Sequence, residues 1–342
     1  MVLLISLLSL SASFWKEPVL SFTCQEGCAD CCKVSGDVWM NDDETASMAA
    51  SLSLPLPVFL AQNTDAAILD GSGSSFRRLR SSPTGCSLLT EQNTCSGYSG
   101  RPLQCRTYPF WPRILASEYT WSAEENVCPG ISTSSVLPSS RIALSKAKDE
   151  AARWEAWLRR FNFSSVAQLA STHKWASDFV EPLSLCPWAS ASLAAPGAIK
   201  YFVSSATDTR DAFEVLNCAA AELILADGDP NKAITFCVFP SFKADSFESF
   251  HAFFCDLEEN HVDHDVTLAG FHPGWLWDLP QDSPLHYEKR SPFPTISLVH
   301  TRGIEGENAE TKTERIAEQN LKTLTDLGSD ALALRFKRFI EK

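Results

Sequence analysis

The feature that most constrains this chain is the crowding of its thiols. Of twelve cysteines, Cys24, Cys28, Cys31, Cys32, Cys86, Cys95, Cys105 and Cys128 lie in the first 128 residues, and Cys186, Cys218, Cys237 and Cys255 follow. Two residues separate Cys28 from Cys31, so one tight turn can present two thiolates to one metal. Closure needs further ligands. Cys86, Cys95, Cys105 and Cys128 supply them at loop-like positions beside Gly85, Gly97, Gly100 and Gly130. Eight thiols make two zinc sites of four, or one iron–sulfur centre with additional structural thiols, and spacing alone does not choose. Disulfides would require an oxidising compartment. Cys31 and Cys32 are adjacent, so their side chains are expected to diverge, and either one serves a second site or one is a spare thiol. The first ~130 residues are therefore read as a module binding zinc or an iron–sulfur centre.

At 342 residues the chain has room for about two domains, each large enough for a core. A net charge of -13 repels phosphate backbones, and Arg77, Arg78 and Arg80 are the one basic cluster, which excludes nucleic acid as the main partner. The opening run Met1 to Leu10 is apolar and precedes Ser11-Ala12-Ser13. It reads as a secretory or organelle leader cut near Phe14, or as a short N-terminal helix, and it is too short to span a bilayer. The expectation is a soluble protein, cytoplasmic unless that leader acts, with an unidentified small molecule or protein as partner.

The serine-rich stretch Ile131 to Ser140 with Pro138 reads as a linker. Leu144, Ala147, Ala151, Trp154, Leu158 and Phe161 then form one stripe of an amphipathic helix. A second helix is expected over Ser165 to Val180. Beyond it come a strand (Ile199 to Ser204), a helix (Arg210 to Leu225), a strand (Ile234 to Phe239) and a helix opened by Asp245 with Glu248. Strands Val266 to Phe271 and Thr295 to His300 and two closing helices, Lys312 to Leu327 and Asp330 to Ile340, complete the set. The fold class is α+β: a small cysteine-rich metal-binding domain, then a mixed sheet covered by helices. The expected division is a leader or extension at 1–19, the cysteine domain at 20–131, a linker and connecting helix at 132–171, and the α+β domain at 172–342.

Cys24 to Cys32, Gly85-Cys86, Cys95, Arg101 to Phe110 and Cys128-Pro129-Gly130-Ile131 resemble the YkgJ-type CxxCxxCC family. The resemblance covers about residues 20 to 131 and implies chelation of zinc or iron. Within it, Arg106 is read as a cation that neutralises a thiolate-rich site, with Arg101 as a second candidate. The three-then-two spacing of Cys24, Cys28 and Cys31 also matches the cluster loop of radical-SAM enzymes. Asp30 stands where those carry an aromatic, and no run of strand–helix units follows to build their barrel.

Leu183 to Ala189, Gly270 to Pro273, Arg290 to Thr295 and Ala317 to Asn320 resemble domain-of-unknown-function family 1415, over about Thr172 to Leu327. That resemblance implies no activity. The residues themselves suggest a site with Cys186 as nucleophile, His272 as acid/base and Arg290 as anion clamp. Cys218, Cys237 and Cys255 lie in apolar runs and are read as core. His261 and His264 are read as a solvated turn. No G-x-x-x-x-G-K, G-x-G-x-x-G or G-x-S-x-G motif is present. Three functions stay open: a metal-binding protein, an enzyme with a Cys/His/Arg pocket in the second half, and a metal-relay or assembly protein.

Overall fold

A computed structural model of the chain describes residues 19–34, 36–69, 75–82, 85–131, 141–186, 198–226, 233–260, 265–304 and 309–340. The expected leader up to residue 18, the serine-rich stretch 132–140, and His261 with His264 lie outside the described residues.

The chain opens with strand β1 (Val19–Ser21), the single-turn helix α1 (Asp30–Lys33), β2 (Trp39–Asn41), α2 (Asp42–Ser51) and α3 (Leu56–Asn63). Strands β3 (Thr64–Leu69), β4 (Ser75–Leu79), β5 (Ser81–Ser82) and β6 (Gly85–Cys86) follow, then α4 (Leu103–Thr107), α5 (Glu118–Ala123), β7 (Arg141–Ala143) and α6 (Leu144–Arg160). After α7 (Phe163–Trp175) come β8 (Ile199–Ser204), α8 (Thr209–Leu225), β9 (Ile234–Val238), α9 (Phe247–Asn260), β10 (Val266–Phe271) and β11 (Thr295–His300). Helices α10 (Ala309–Leu327) and α11 (Ser329–Ile340) close the chain.

Two compact units result: residues 1–56 with 78–162, and residues 57–77 with 163–342. The first is built around Leu20, Phe110, Ile114, Leu115, Trp121 and Ile131, against which α6 lays Ala147 and Ala151, members of the stripe read from sequence. Trp111, Trp154, Trp157 and Phe161 stack in succession at centroid distances of 5.6, 4.7 and 5.2 Å. One carboxylate ties this unit together. Glu44 closes a capping box with Asn41 at the start of α2. Its Oε1 also accepts from the Leu103 N–H (2.6 Å) and its Oε2 from the Trp157 indole (2.8 Å), which fixes the start of α4.

In the second unit the described strands run in the order β10-β11-β9-β8-β3-β4. β8 is parallel to both β3 and β9, whereas β11 is antiparallel to β9 and β10, so the sheet is mixed and the fold is α+β. Every residue of β8 and β9 is buried, as the near-continuous apolar runs require when helices cover a sheet. Phe250, Phe254 and Leu257 of α9 pack onto that core as the stripe predicts. The helix starts differently from expectation: Ser246, not Asp245, caps it, its hydroxyl accepting from the Ser249 N–H at 3.2 Å. The helix expected over 165–180 runs as α7 and then winds into a π-helical turn, Ala176–Val180.

Beneath α8 lies a buried charge triad. Glu222 receives Arg77 at 2.6 Å and Lys200 at 3.1 Å, and the side chains of all three are about 5–6% exposed. Lys200 also donates to the Leu60 carbonyl at 2.8 Å. Arg77, read from sequence as part of a basic cluster, therefore points inward, and Arg78 pairs with Asp37 at 3.5 Å.

Candidate metal centre

The thiols of the first unit are set by turns. At the knuckle, Ala29 adopts a left-handed φ of 53°, which redirects the chain between Cys28 and α1. Asp30 then donates its N–H to Cys28 Sγ at 3.5 Å. At three further turns the backbone N–H groups of Leu88, Gly97 and Gly130 favour the ionised forms of Cys86, Cys95 and Cys128. In each of the four, the backbone N–H two residues on lies near the sulfur. Such donors favour the thiolate over the thiol, as ligation demands.

Glycines bring these turns together. Gly85 has φ +126°, and a Cβ there would stand 2.3 Å from the Cys32 carbonyl oxygen, so the β5–β6 hairpin touches the backbone of the knuckle. A Cβ on Gly130 would meet the Thr23 carbonyl at 2.5 Å; the Thr23 N–H donates to Gly130 O at 2.9 Å, and this pairing sets Cys128 near Cys24.

The electrostatics centre on Cys31. Its charge acts on Cys28, Cys32, Cys86, Cys95, Cys105 and Cys128. The adjacent Cys32 thiol pulls Cys31 down, to about 6, while the Cys32 thiol is raised. Burial pushes Cys105 on α4 up to about 12 and raises Cys28, Cys86, Cys95 and Cys128 by smaller amounts. The cation acting on these thiols is Arg101, which favours the ionised forms of Cys31, Cys95 and Cys105 and stacks on Tyr98 at 3.6 Å. Arg106 is exposed at the end of α4.

All eight cysteines are free thiols. Among the described residues no three Cys, His, Asp or Glu side chains converge in the arrangement of a bound ion. The donor set suits zinc or iron in its chemistry, being thiols with nearby backbone N–H groups and a guanidinium.

In the second unit, His272 is 2% exposed and both ring nitrogens are engaged: Nε2 donates to the Lys243 carbonyl (3.1 Å) and Nδ1 accepts from the Gly274 N–H (3.0 Å). Burial holds its pKa below the ordinary histidine value. His286, which sequence reading passed over, does the same between Pro280 O (2.9 Å) and the Trp277 N–H (3.1 Å). The two imidazoles brace one loop. Arg290 donates to the Trp275 carbonyl at 3.4 Å and lies over the Tyr287 ring at 4.4 Å. Cys186, half-buried, lies within electrostatic reach of Lys289. Asn320 joins two of the segments by donating to Leu185 O (3.1 Å) and to Glu288 Oε1 (2.8 Å).

The two halves match two different families. Residues 23–129 match the CxxCxxCC family, described as "Putative zinc- or iron-chelating domain", and residues 167–333 match DUF1415, described as a protein of unknown function. No curated protein and no solved structure matches the chain. All four backbone-supported cysteines fall inside the CxxCxxCC match. The loop braced by His272 and His286, with Cys186 and Asn320, falls inside DUF1415. No helix among the described residues is long and apolar enough to cross a membrane.

Proposed function

We propose that the CxxCxxCC unit is a thiolate metal centre for zinc or iron, with Cys28, Cys86, Cys95 and Cys128 as its primary ligands. The observation that carries this reading is the fourfold recurrence of a turn that brings the backbone N–H from two residues on near the sulfur, where it favours the thiolate. Packing cysteines have no need of that donor, whereas a bound thiolate does. Cys31, whose thiol pKa is lowered, is a further ligand, and Arg101 offsets the accumulated negative charge. Zinc there would hold the turns together, and an iron–sulfur centre would add one-electron transfer.

The test is elemental analysis of protein purified without oxygen. Stoichiometric zinc, or iron with sulfide and a visible absorption band, is the expected result, and Cys86→Ser and Cys95→Ser should each lose most of it. Protein with reduced thiols and neither metal overturns the reading. The exposure of Cys24 and Cys31 favours a second reading, a centre that passes its metal to a partner. Rapid exchange with a weak chelator supports relay; inert metal removes it.

A further inference from the structure

An unbroken run of oxidisable rings crosses the first unit. Tyr108 meets Trp111 edge-on at a centroid distance of 5.2 Å. Trp111 stacks on Trp154 at 5.6 Å with 23° between the ring planes, and Trp154 stacks on Trp157 at 4.7 Å and 24°. The run consists of two i, i+3 pairs, one from the segment after α4 and one from α6, and the packing of α6 on that segment makes it continuous.

Filling a core does not call for this choice of ring. The second unit packs phenylalanines edge to face, as in Phe242 with Phe253 at 82° and Phe179 with Phe339 at 79°. Phenylalanine holds its electrons too tightly for biological redox steps. Tyrosine and tryptophan give one up, most readily when the proton that oxidation makes acidic has an acceptor. Both ends of the run have one: the Tyr108 O–H donates to Glu124 Oε1 and the Trp157 N–H to Glu44 Oε2, each at 2.8 Å. Between them, Trp111 donates to the Gln104 carbonyl and the Thr107 hydroxyl, both at 3.2 Å. The Arg113 guanidinium lies over the Trp111 ring at 5.1 Å and disfavours positive charge there, so that ring is a step and not a resting place.

The Tyr108 end is fastened to the cysteine turns. Tyr108 directly follows α4, which carries Cys105, and its acceptor Glu124 takes the Cys128 N–H on its own carbonyl at 2.8 Å. Tyr108, Trp111 and Cys128 pack against the same apolar cluster.

We propose that Trp157, Trp154, Trp111 and Tyr108 form a one-electron relay that links α6 to the turns of Cys105 and Cys128. A one-electron oxidant takes an electron from Trp157. Trp154, Trp111 and Tyr108 refill the hole in turn, and Tyr108 passes its phenolic proton to Glu124 as its electron leaves. A Cys105 or Cys128 thiol then gives the tyrosyl oxygen a hydrogen atom, which restores Tyr108 and leaves a thiyl. The electron delivered to the oxidant and the proton left on Glu124 are thus both replaced from that thiol. The relay needs the cysteine turns but no bound metal, so it stands or falls apart from the metal reading.

The test opens the hole at a known place. Arg153 is exposed on α6, one residue before Trp154, and a ruthenium polypyridyl photo-oxidant is attached to the imidazole introduced by Arg153→His in the full chain. The chain's own histidines all lie in the second unit, so identically treated unsubstituted protein supplies the background. After illumination with an electron-accepting quencher, radicals are captured by a nitroso spin trap and the adducts are mapped peptide by peptide. Adducts at Tyr108 and on Cys105 or Cys128 are expected. Trp154→Phe, which keeps a ring in the stack, should lose most of them while those at Trp157 persist. Trp111→Phe should do the same, and it decides the matter where the Trp154 variant fails to fold. Glu124→Gln should lower the Tyr108 and cysteine adducts without lowering those at the tryptophans. No excess over background at Tyr108, Cys105 or Cys128, or adducts there that the phenylalanine variants leave unchanged, overturns the proposal.

Discussion

Four cysteines of the first unit precede turns, whereas Cys218, Cys237 and Cys255 of the second lie inside helices and a strand. Cys28, Cys86, Cys95 and Cys128 each precede a turn whose backbone N–H lies near the sulfur. Cys237, in the middle of β9, is fully buried, and burial raises its thiol well above the ordinary value. Cys218, on α8, lies 3.7 Å from Arg77 and 3.8 Å from Glu222 as a neighbour of the buried triad. The difference teaches that local backbone, more than the thiol itself, decides what a cysteine does. A sulfur met by N–H donors is prepared for charge, and one met by carbon is a small hydrophobe.

The comparison predicts that the two units respond to different insults. The largest effect is expected at the triad: Glu222→Gln leaves Arg77 and Lys200 buried without their counter-charge and should cost about 3–5 kcal/mol of unfolding free energy. Denaturant titration measures this, and metal content should stay unchanged. A loss under about 1 kcal/mol would break the claim that the second unit rests on that triad.

Next comes Gly85→Ala. Its φ of +126° and the 2.3 Å approach to Cys32 O oblige the hairpin to withdraw from the knuckle, at about 1–3 kcal/mol. Weakened metal retention, read by chelator competition, with an unaltered second unit is the expected pattern. Undiminished retention would show that the hairpin's contact with α1 is not needed to assemble the ligands.

The smallest effect is that of pH on the second unit. His272 has its folded pKa depressed, so between that value and the unfolded value of about 6.5 the unfolded chain binds a proton that the folded chain refuses. The histidine's contribution is therefore complete above about pH 6.5 and falls as pH drops below it, by up to about 1.4 kcal/mol per pH unit. Melting curves at pH 7.5 and 5.5 should show the decline, and His272→Asn, which keeps an acceptor for the Gly274 N–H, should flatten it. An equal decline in that variant would assign the acid sensitivity elsewhere.

Much of this was legible in the chain itself. Strands β8, β10 and β11 and the helical stripes of α8 and α9 follow from apolar periodicity, because residues that alternate or recur every three to four positions have one way to be buried. Strands β3 and β4 were not legible. Their residues lie among the cysteine motifs in sequence yet belong to the sheet of the second unit, with Ala67 paired to Phe202, and a parallel pairing across so long a separation leaves no local trace.

The sequence by itself determined that the first ~130 residues gather eight thiols, that the remainder is helix-covered sheet, and where most elements begin and end. These follow from covalent spacing and from side-chain periodicity. Only the tertiary structure decided that Arg77 faces inward to Glu222 and that Arg101 comes within electrostatic reach of Cys31, Cys95 and Cys105. Each of those depends on which groups distant in the chain come close enough for charge and hydrogen bonding to act, and spacing along a polymer does not encode that distance.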